Sequence, residues 1–378
     1  MKLLDRYLLR NFLEPFVICF FGFLGIWLIF DLADNGSDFV QAKASWKTIG
    51  WFYVTQLPQI VLISLPVGLL LAVLFSLSRM SRRNEIISML TAGVSVSRIM
   101  CPLIVVGLLA TGALVVLNYE SAPRAEAMRS RALEQIGRGR ASAEAEAVNG
   151  YLFRDRSNGR TWFIKKFRPN TLSLDGVHIT QQDLQGKIVK KWIANRAIYD
   201  PRAKAWTLNR GIAVDFNAAG DVAKIDEFEL GSRSLTSWSE TPWRIASSQL
   251  PAENLTVPEL REYLQNNADF SPAQIAPYTT YLQHRLAVPF QCLVVVFIGA
   301  PLSIVFSRRG VVGGVAAAML LYAALLISTF LFLALGKGAR LDAYLAAWLP
   351  NALFLVIGLV LLFFRTTNRD FPTLSLRN

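Results

Sequence analysis

Histidine and cysteine are scarce, at two and three in 378 residues. His178 and His284 lie far apart and have no cysteine neighbours, which argues against a zinc site. Cys19, Cys101 and Cys292 cannot build a disulfide framework. All three sit inside apolar runs and read as small buried hydrophobes. Charge is also thin, at 17% of residues, against about 25% in ordinary soluble chains. Intrinsic disorder and a fibrous repeat do not fit such a composition. Nucleotide chemistry lacks its loop: Gly186-Lys187 and Gly336-Lys337 have neither the leading glycine nor the hydroxyl residue of G-x-x-x-x-G-K-[ST]. No G-x-S-x-G, no H-E-x-x-H and no pair of carboxylates or histidines inside the apolar runs is present. The chain is not expected to be an enzyme, and no cofactor or metal is expected.

What the chain has is apolar length. Apolar residues make up 53%, and the mean hydropathy is +0.37. Charge-free stretches run over 15–30, 48–78, 99–119, 286–307, 310–336 and 343–364. A helix needs about 20 apolar residues to cross the hydrocarbon core. All but the first stretch meet that, and the first borrows from its flanks, so six spans are expected. Pro58 and Pro66 are expected to kink the second. The first span ends in Asp31 and Asp34 without a small-residue cleavage pattern, so a cleaved leader is not expected.

Twelve lysines and arginines flank the span ends that share a side with the N-terminus. They run from Lys2, Arg6 and Arg10 through Arg79–Arg98 and Arg308-Arg309 to the C-terminal tail. The short loops of the opposite side hold four: Lys43, Lys47, Lys337 and Arg340. The positive-inside rule therefore places both termini in the cytoplasm. It also accounts for much of the net charge of +12, so nucleic-acid binding is not needed to explain it.

The expected organisation is three spans over 1–120, an outer domain over 121–275 and three spans over 276–378. The outer domain opens with a charged helical stretch, 122–147. Short alternating runs follow over 161–167, 172–180, 188–199, 206–208, 211–216 and 228–230. Turn signals such as Asn149-Gly150, Asp175-Gly176 and Asp200-Pro201 punctuate them. That pattern predicts an all-β sandwich or roll.

The loop between the second and third spans reads RMSRRNEIISMLTAGVSVSR over 79–98. A short helix from Arg82 to Thr91 is expected within the segment 82–92, with Ser81 as its cap and Gly93 as its stop. Ile86, Met89 and Leu90, beside Arg82, Arg83 and Glu85, make it amphipathic. Such a helix either docks into a groove of a soluble partner or lies at the headgroup level.

The whole chain resembles a known family at these residues. The marks are LDRYLLRNFLEPF at 4–16, LPxxxxxxxPVGLLLAVL at 57–74, SRRNEIISMLTAGVS at 81–95 and AVPFQCLVVVFIGAPLS at 287–303. They resemble the paired F and G permease subunits of the lipopolysaccharide export ABC transporter. The resemblance implies six spans with an inserted periplasmic β-jellyroll and a site in the bacterial inner membrane. It implies pairing with a second such permease, docking on a cytoplasmic ABC ATPase dimer, and handover of lipopolysaccharide to periplasmic jellyroll bridge proteins. It also makes 82–92 a coupling helix, with Arg82, Arg83, Glu85, Met89 and Gly93 as its ATPase-coupling residues. Some members carry lysines at the outer end of span one. Here Asp31, Asp34 and Asp38 stand there, and Lys43 and Lys47 are the nearest cations. These acids either hold lipid phosphate through a divalent cation or form a solvated span end. Arg285, at the outer end of span four, either faces a head group or snorkels to the interface. Two other readings compete: a membrane-anchored scaffold or sensor, and an ABC permease for another envelope lipid.

Overall fold

The computed structural model describes residues 3–41, 45–121, 125, 148–155, 158–168, 172–183, 185–217, 219–228, 232–236, 238–247, 251–268, 270–304 and 310–367. The chain divides into two compact units. One is helical, built from both ends of the chain and the segment 252–261. The other is β-rich and comprises 135–251 and 262–271.

Six helical segments of the first unit are long and apolar enough to cross a membrane. Helix α1 spans Leu3–Gln41 and α2 spans Trp46–Arg82. Pro58 and Pro66 both lie inside α2, which continues through them. A short helix α3 (Glu85–Thr91) leads into α4 (Val96–Val116). The β-rich unit adds a short helix α5 (Pro242–Ser247), and α6 (Val257–Asn266) follows. The fourth span starts earlier than the charge-free run indicates. It joins α7 (Pro272–Ala287) to α8 (Gln291–Ser303) through a tight turn at Val288–Phe290. Pro289 supplies no N–H to continue a regular helix there. Tyr281, His284 and Arg285 therefore lie within the span. Helices α9 (Gly310–Lys337) and α10 (Ala343–Thr366) complete the set. The Asp342 carboxylate caps α10 by accepting from the N–H groups of Tyr344 and Leu345.

The core of this unit sits where α2, α4 and α8 meet, around Leu69, Val73, Leu77, Ile99, Met100, Val295 and Ile298. Helix α1 is different. Leu8 and Phe12 are buried, yet Ile18, Phe21, Ile29 and Phe30 are more than half exposed. An apolar surface of that kind suits lipid or another apolar helix.

The β-rich unit is a seven-stranded antiparallel sheet, the all-β element that the alternation predicts. Its strands are β1 (Val148–Asp155), β2 (Arg160–Arg168), β3 (Ser173–Gln182), β4 (Ile188–Asp200), β5 (Ala205–Phe216), β6 (Val222–Glu227) and β7 (Ser232–Leu235). The first six pair in chain order, and β7 pairs with β5 beyond β6. Two kinds of expectation change. Asn149-Gly150 and Asp175-Gly176 lie inside β1 and β3 rather than in turns, and the runs 206–208 and 211–216 join as β5. The stretch 122–147 falls outside the described residues apart from Ala125, as do 229 and 230 of the last expected run.

One physical feature explains both changes. Phe153, Trp162, Ile179, Trp192 and Ala213 form a buried cross-strand row, and Ile164, Val177 and Ala194 form the next. The row after that is Phe167, Leu174, Ala197 and Leu208. It lies three residues on, not two, so alternation slips by one in each of these strands. Gly150, Gly176 and Arg210 sit in the slip with φ of 74°, 63° and 53°. Left-handed backbone on the alternate strands β1, β3 and β5 thus keeps both sets of apolar residues on one face. Gly211, next to Arg210, packs its Cα against β4, and a Cβ there would overlap Ile193 O and lie 2.8 Å from Ala194 Cα.

A buried ion network closes one end of the β-rich unit. Arg160 donates to both Glu240 oxygens, at 2.6 and 3.1 Å, and its guanidinium lies 4.2 Å from the Trp238 ring centroid. Arg244 donates to Asp155 at 3.2 Å and to Asn267 at 3.3 Å. Ser239 and Asn158 bridge to Asp155, and the Trp206 indole donates to Glu240 O. Burial pushes the Glu240 carboxyl up, while Arg160 pulls it down.

Candidate functional site at the loop between the second and third spans

The loop helix begins later than its sequence indicates. Helix α2 runs on to Arg82, and Asn84 then adopts left-handed backbone, φ 60° and ψ 11°. Asparagine tolerates that conformation better than most residues. Helix α3 therefore starts at Glu85, and Ser81 does not cap it. The Ser81 hydroxyl is buried and donates to Ser303 O at 3.1 Å, tying α2 to the end of α8. The C-terminal end follows its signal. Gly93 stands at φ +84°, its N–H bonds to Leu90 O, and the Val94 N–H bonds to Met89 O, each at 3.0 Å. This pair of bonds is a Schellman stop.

Helix α3 turns its apolar side inward. Ile86 is buried, and Met89, Leu90 and Val94 pack against the bundle core. The amphipathic pattern thus fastens the helix to its own protein, with Met89 half-buried in that contact. Arg82, Arg83, Ser88, Thr91, Ala92 and Gly93 are exposed. The Glu85 side chain keeps 24% exposure and lies 3.9 Å from the Arg83 guanidinium. Glu85 also accepts a hydrogen bond from the Tyr7 hydroxyl at 2.9 Å. Sequence reasoning missed Tyr7. Its partner lies 78 positions away, and only the packing of α1 brings them together.

The family pattern described as "Lipopolysaccharide export system permease LptF/LptG" matches residues 6–363. The chain belongs to the LptF/LptG family. A comparison with curated proteins gives no match. The LptF/LptG pattern spans all six apolar helices and the sheet, so the architecture described above is that of a lipopolysaccharide export permease. The protein is accordingly a multi-pass membrane permease.

In this LptF/LptG chain the residues expected to meet substrate are spread over several elements. Asp31 is buried on α1, whereas Asp34 is exposed there, so a uniformly solvated span end does not describe them. Lys43 and the Asp38 side chain lie outside what is described. Lys47 is exposed in the first turn of α2, where its N–H bonds to Ser45 Oγ. Arg285 does not snorkel. It is 9% exposed, donates to Glu253 O and lies 3.5 Å from Asn118 Oδ1. The Asn118 amide donates back to Arg285 O at 2.6 Å. Beside it, the Tyr281 hydroxyl donates to Glu253 Oε2 at 2.8 Å, and Lys337 reaches Tyr281 Oη at 3.3 Å. The cluster joins α7, α9 and the segment around Glu253.

Proposed function

We propose that the protein is a permease subunit of an ABC transporter that takes lipopolysaccharide from the bacterial inner membrane and passes it along its β-rich unit toward the outer membrane. The observation that carries this is the loop helix. It stands at the joint of two span-length helices, rigidly stopped at Gly93 and fastened by Ile86, with Arg82, Arg83 and Glu85 at its accessible side. In this reading the loop is cytoplasmic and docks on one copy of an ABC ATPase dimer. A second permease of the same kind completes the complex.

The physics is coherent. A lipid leaving the bilayer loses about 0.8 kcal/mol for each CH₂ exposed to water, so extraction needs an external energy source. The chain has no phosphate loop, so that source is a partner. ATP binding can bias the permease only through contacts that differ between its two states, and Glu85 is positioned to make one. On the periplasmic side, Leu152 and Phe163 stand opposite each other on β1 and β2, 60% and 48% exposed. Such a pair offers acyl chains a surface on the way to a jellyroll bridge protein. Of the candidate substrate contacts, Asp34 and Lys47 are accessible to a head group, whereas Arg285 serves the cluster around Glu253.

The test is a mild-detergent pull-down of the tagged chain from native membranes, with mass spectrometry. Recovery of an ABC ATPase and a second six-span permease is expected. Glu85→Ala is expected to lower ATPase recovery about thirtyfold or more, the low end of the range for truncating one partner of a buried interfacial charge pair. Recovery of the chain alone, repeated in nanodiscs with nucleotide, would support an anchored scaffold instead.

A further inference from the structure

The first turns of α1 are stitched to the loop around α3 by three polar contacts. Tyr7 donates to Glu85 at 2.9 Å. Arg98, in the first turn of α4, reaches both Asp5 oxygens at 2.8 Å. Arg79, in the last turn of α2, lies 4.0 Å from Glu14. Between these contacts Leu8 and Phe12 are buried against the core, and Leu4 and Phe16 pack beside them. Further along, the same helix exposes Ile18, Phe21, Ile29 and Phe30. Helix α1 is therefore gripped at the end that touches the loop.

The chemistry of the Tyr7 contact separates it from the other two. A phenol is a neutral donor, so it fixes the Glu85 carboxylate without cancelling its charge. Arg83 is too distant, at 3.9 Å, for a hydrogen bond. The carboxylate has about four acceptor positions, so it can accept from an incoming cation while Tyr7 still holds it.

We propose that Tyr7 is a positioning residue that ties the first turns of α1 to Glu85, so that α1 moves with α3 when a partner engages the loop. This rests on the reading of α3 as the ATPase-facing element. The hydroxyl orients Glu85 toward the partner and carries the displacement of α3 into α1. The exposed apolar length of α1 then changes its position against lipid. Asp5–Arg98 and Glu14–Arg79 keep the base of α1 in place when the Tyr7 contact is lost, so removing the hydroxyl alters transmission rather than folding.

The experiment uses the full complex in nanodiscs containing lipopolysaccharide and reads lipid released per ATP hydrolysed. Tyr7→Phe keeps the ring and removes only the hydroxyl. It is expected to lower that ratio about threefold to tenfold, the range for losing a hydrogen bond to a partly exposed charge. In a double-mutant cycle with Glu85→Ala, which removes the acceptor, measured at saturating ATPase, the two losses are expected to be non-additive. An unchanged ratio in Tyr7→Phe, or strict additivity with Glu85→Ala, would overturn the proposal. If Glu85→Ala leaves ATPase recovery intact, the docking reading fails first. If Glu85→Ala abolishes recovery and Tyr7→Phe changes nothing, docking stands and the role of Tyr7 is refuted.

Discussion

Glu240→Ala is expected to destabilise the β-rich unit by about 3–5 kcal/mol, the usual cost of removing one partner of a buried ion pair. The wild-type carboxylate is fully buried and holds Arg160 through two hydrogen bonds. Its removal leaves a guanidinium whose side chain is only 10% exposed facing Trp238 without an anion. The contact of the Trp162 indole at 3.4 Å is lost with it. Glu240→Gln keeps one oxygen acceptor and the side-chain volume, so its loss is expected to be smaller. Hydrogen exchange on the full chain in detergent is the measurement. Amides of 160–164 and 206–209 should lose protection, while those of α2 and α8 keep theirs. Unchanged exchange in β2 and β5 would refute the claim.

Gly211→Ala is expected to cost about 3 kcal/mol, at the upper end of the overpacking range. Most overpacked side chains rotate away. A Cβ at this position has no rotamer, and what it meets is backbone: Ile193 O and Ala194 Cα. The β4–β5 ladder must open locally to admit it. The adjacent Arg210 already holds left-handed backbone, so this stretch of β5 has little freedom to adjust. Limited proteolysis of the full chain should show new cleavage near 193–195 and 209–212. An unchanged digest would mean that β4 and β5 take up the methyl without opening, and would refute the claim.

The membrane spans were legible because apolar length is a one-dimensional property that needs no partner. The fourth was legible only in part. Its first half carries Gln274, Gln283, His284 and Arg285, whose polarity hides a helix that runs from Pro272. The Arg285 cluster was illegible for a related reason. Its partners are Asn118, 167 positions away, and Glu253, 32 positions away. In the sheet, strand existence followed from alternation. The slip at Gly150, Gly176 and Arg210 did not, because a shift in alternation looks like a turn in sequence. The loop helix shows both sides. Its stop at Gly93 has a local cause and was foreseeable. Its start depends on Asn84 breaking α2, and propensity alone does not fix that site. The apolar stripe at Ile86, Met89 and Leu90 fits a docking helix or a headgroup-level one in sequence, and in the fold it packs against the bundle core.

The strand order of the β-rich unit has a kinetic consequence. Strands that pair in chain order close short loops, so β1 to β6 can assemble hairpin by hairpin, the fast route for a sheet. Arg160 and Glu240 are 80 positions apart, so their bond forms only when the intervening strands are in place. Such a late contact acts on the unfolding rate rather than the folding rate. The pair is a clasp on the finished sheet: a chain lacking Glu240 assembles at the normal speed and comes apart sooner.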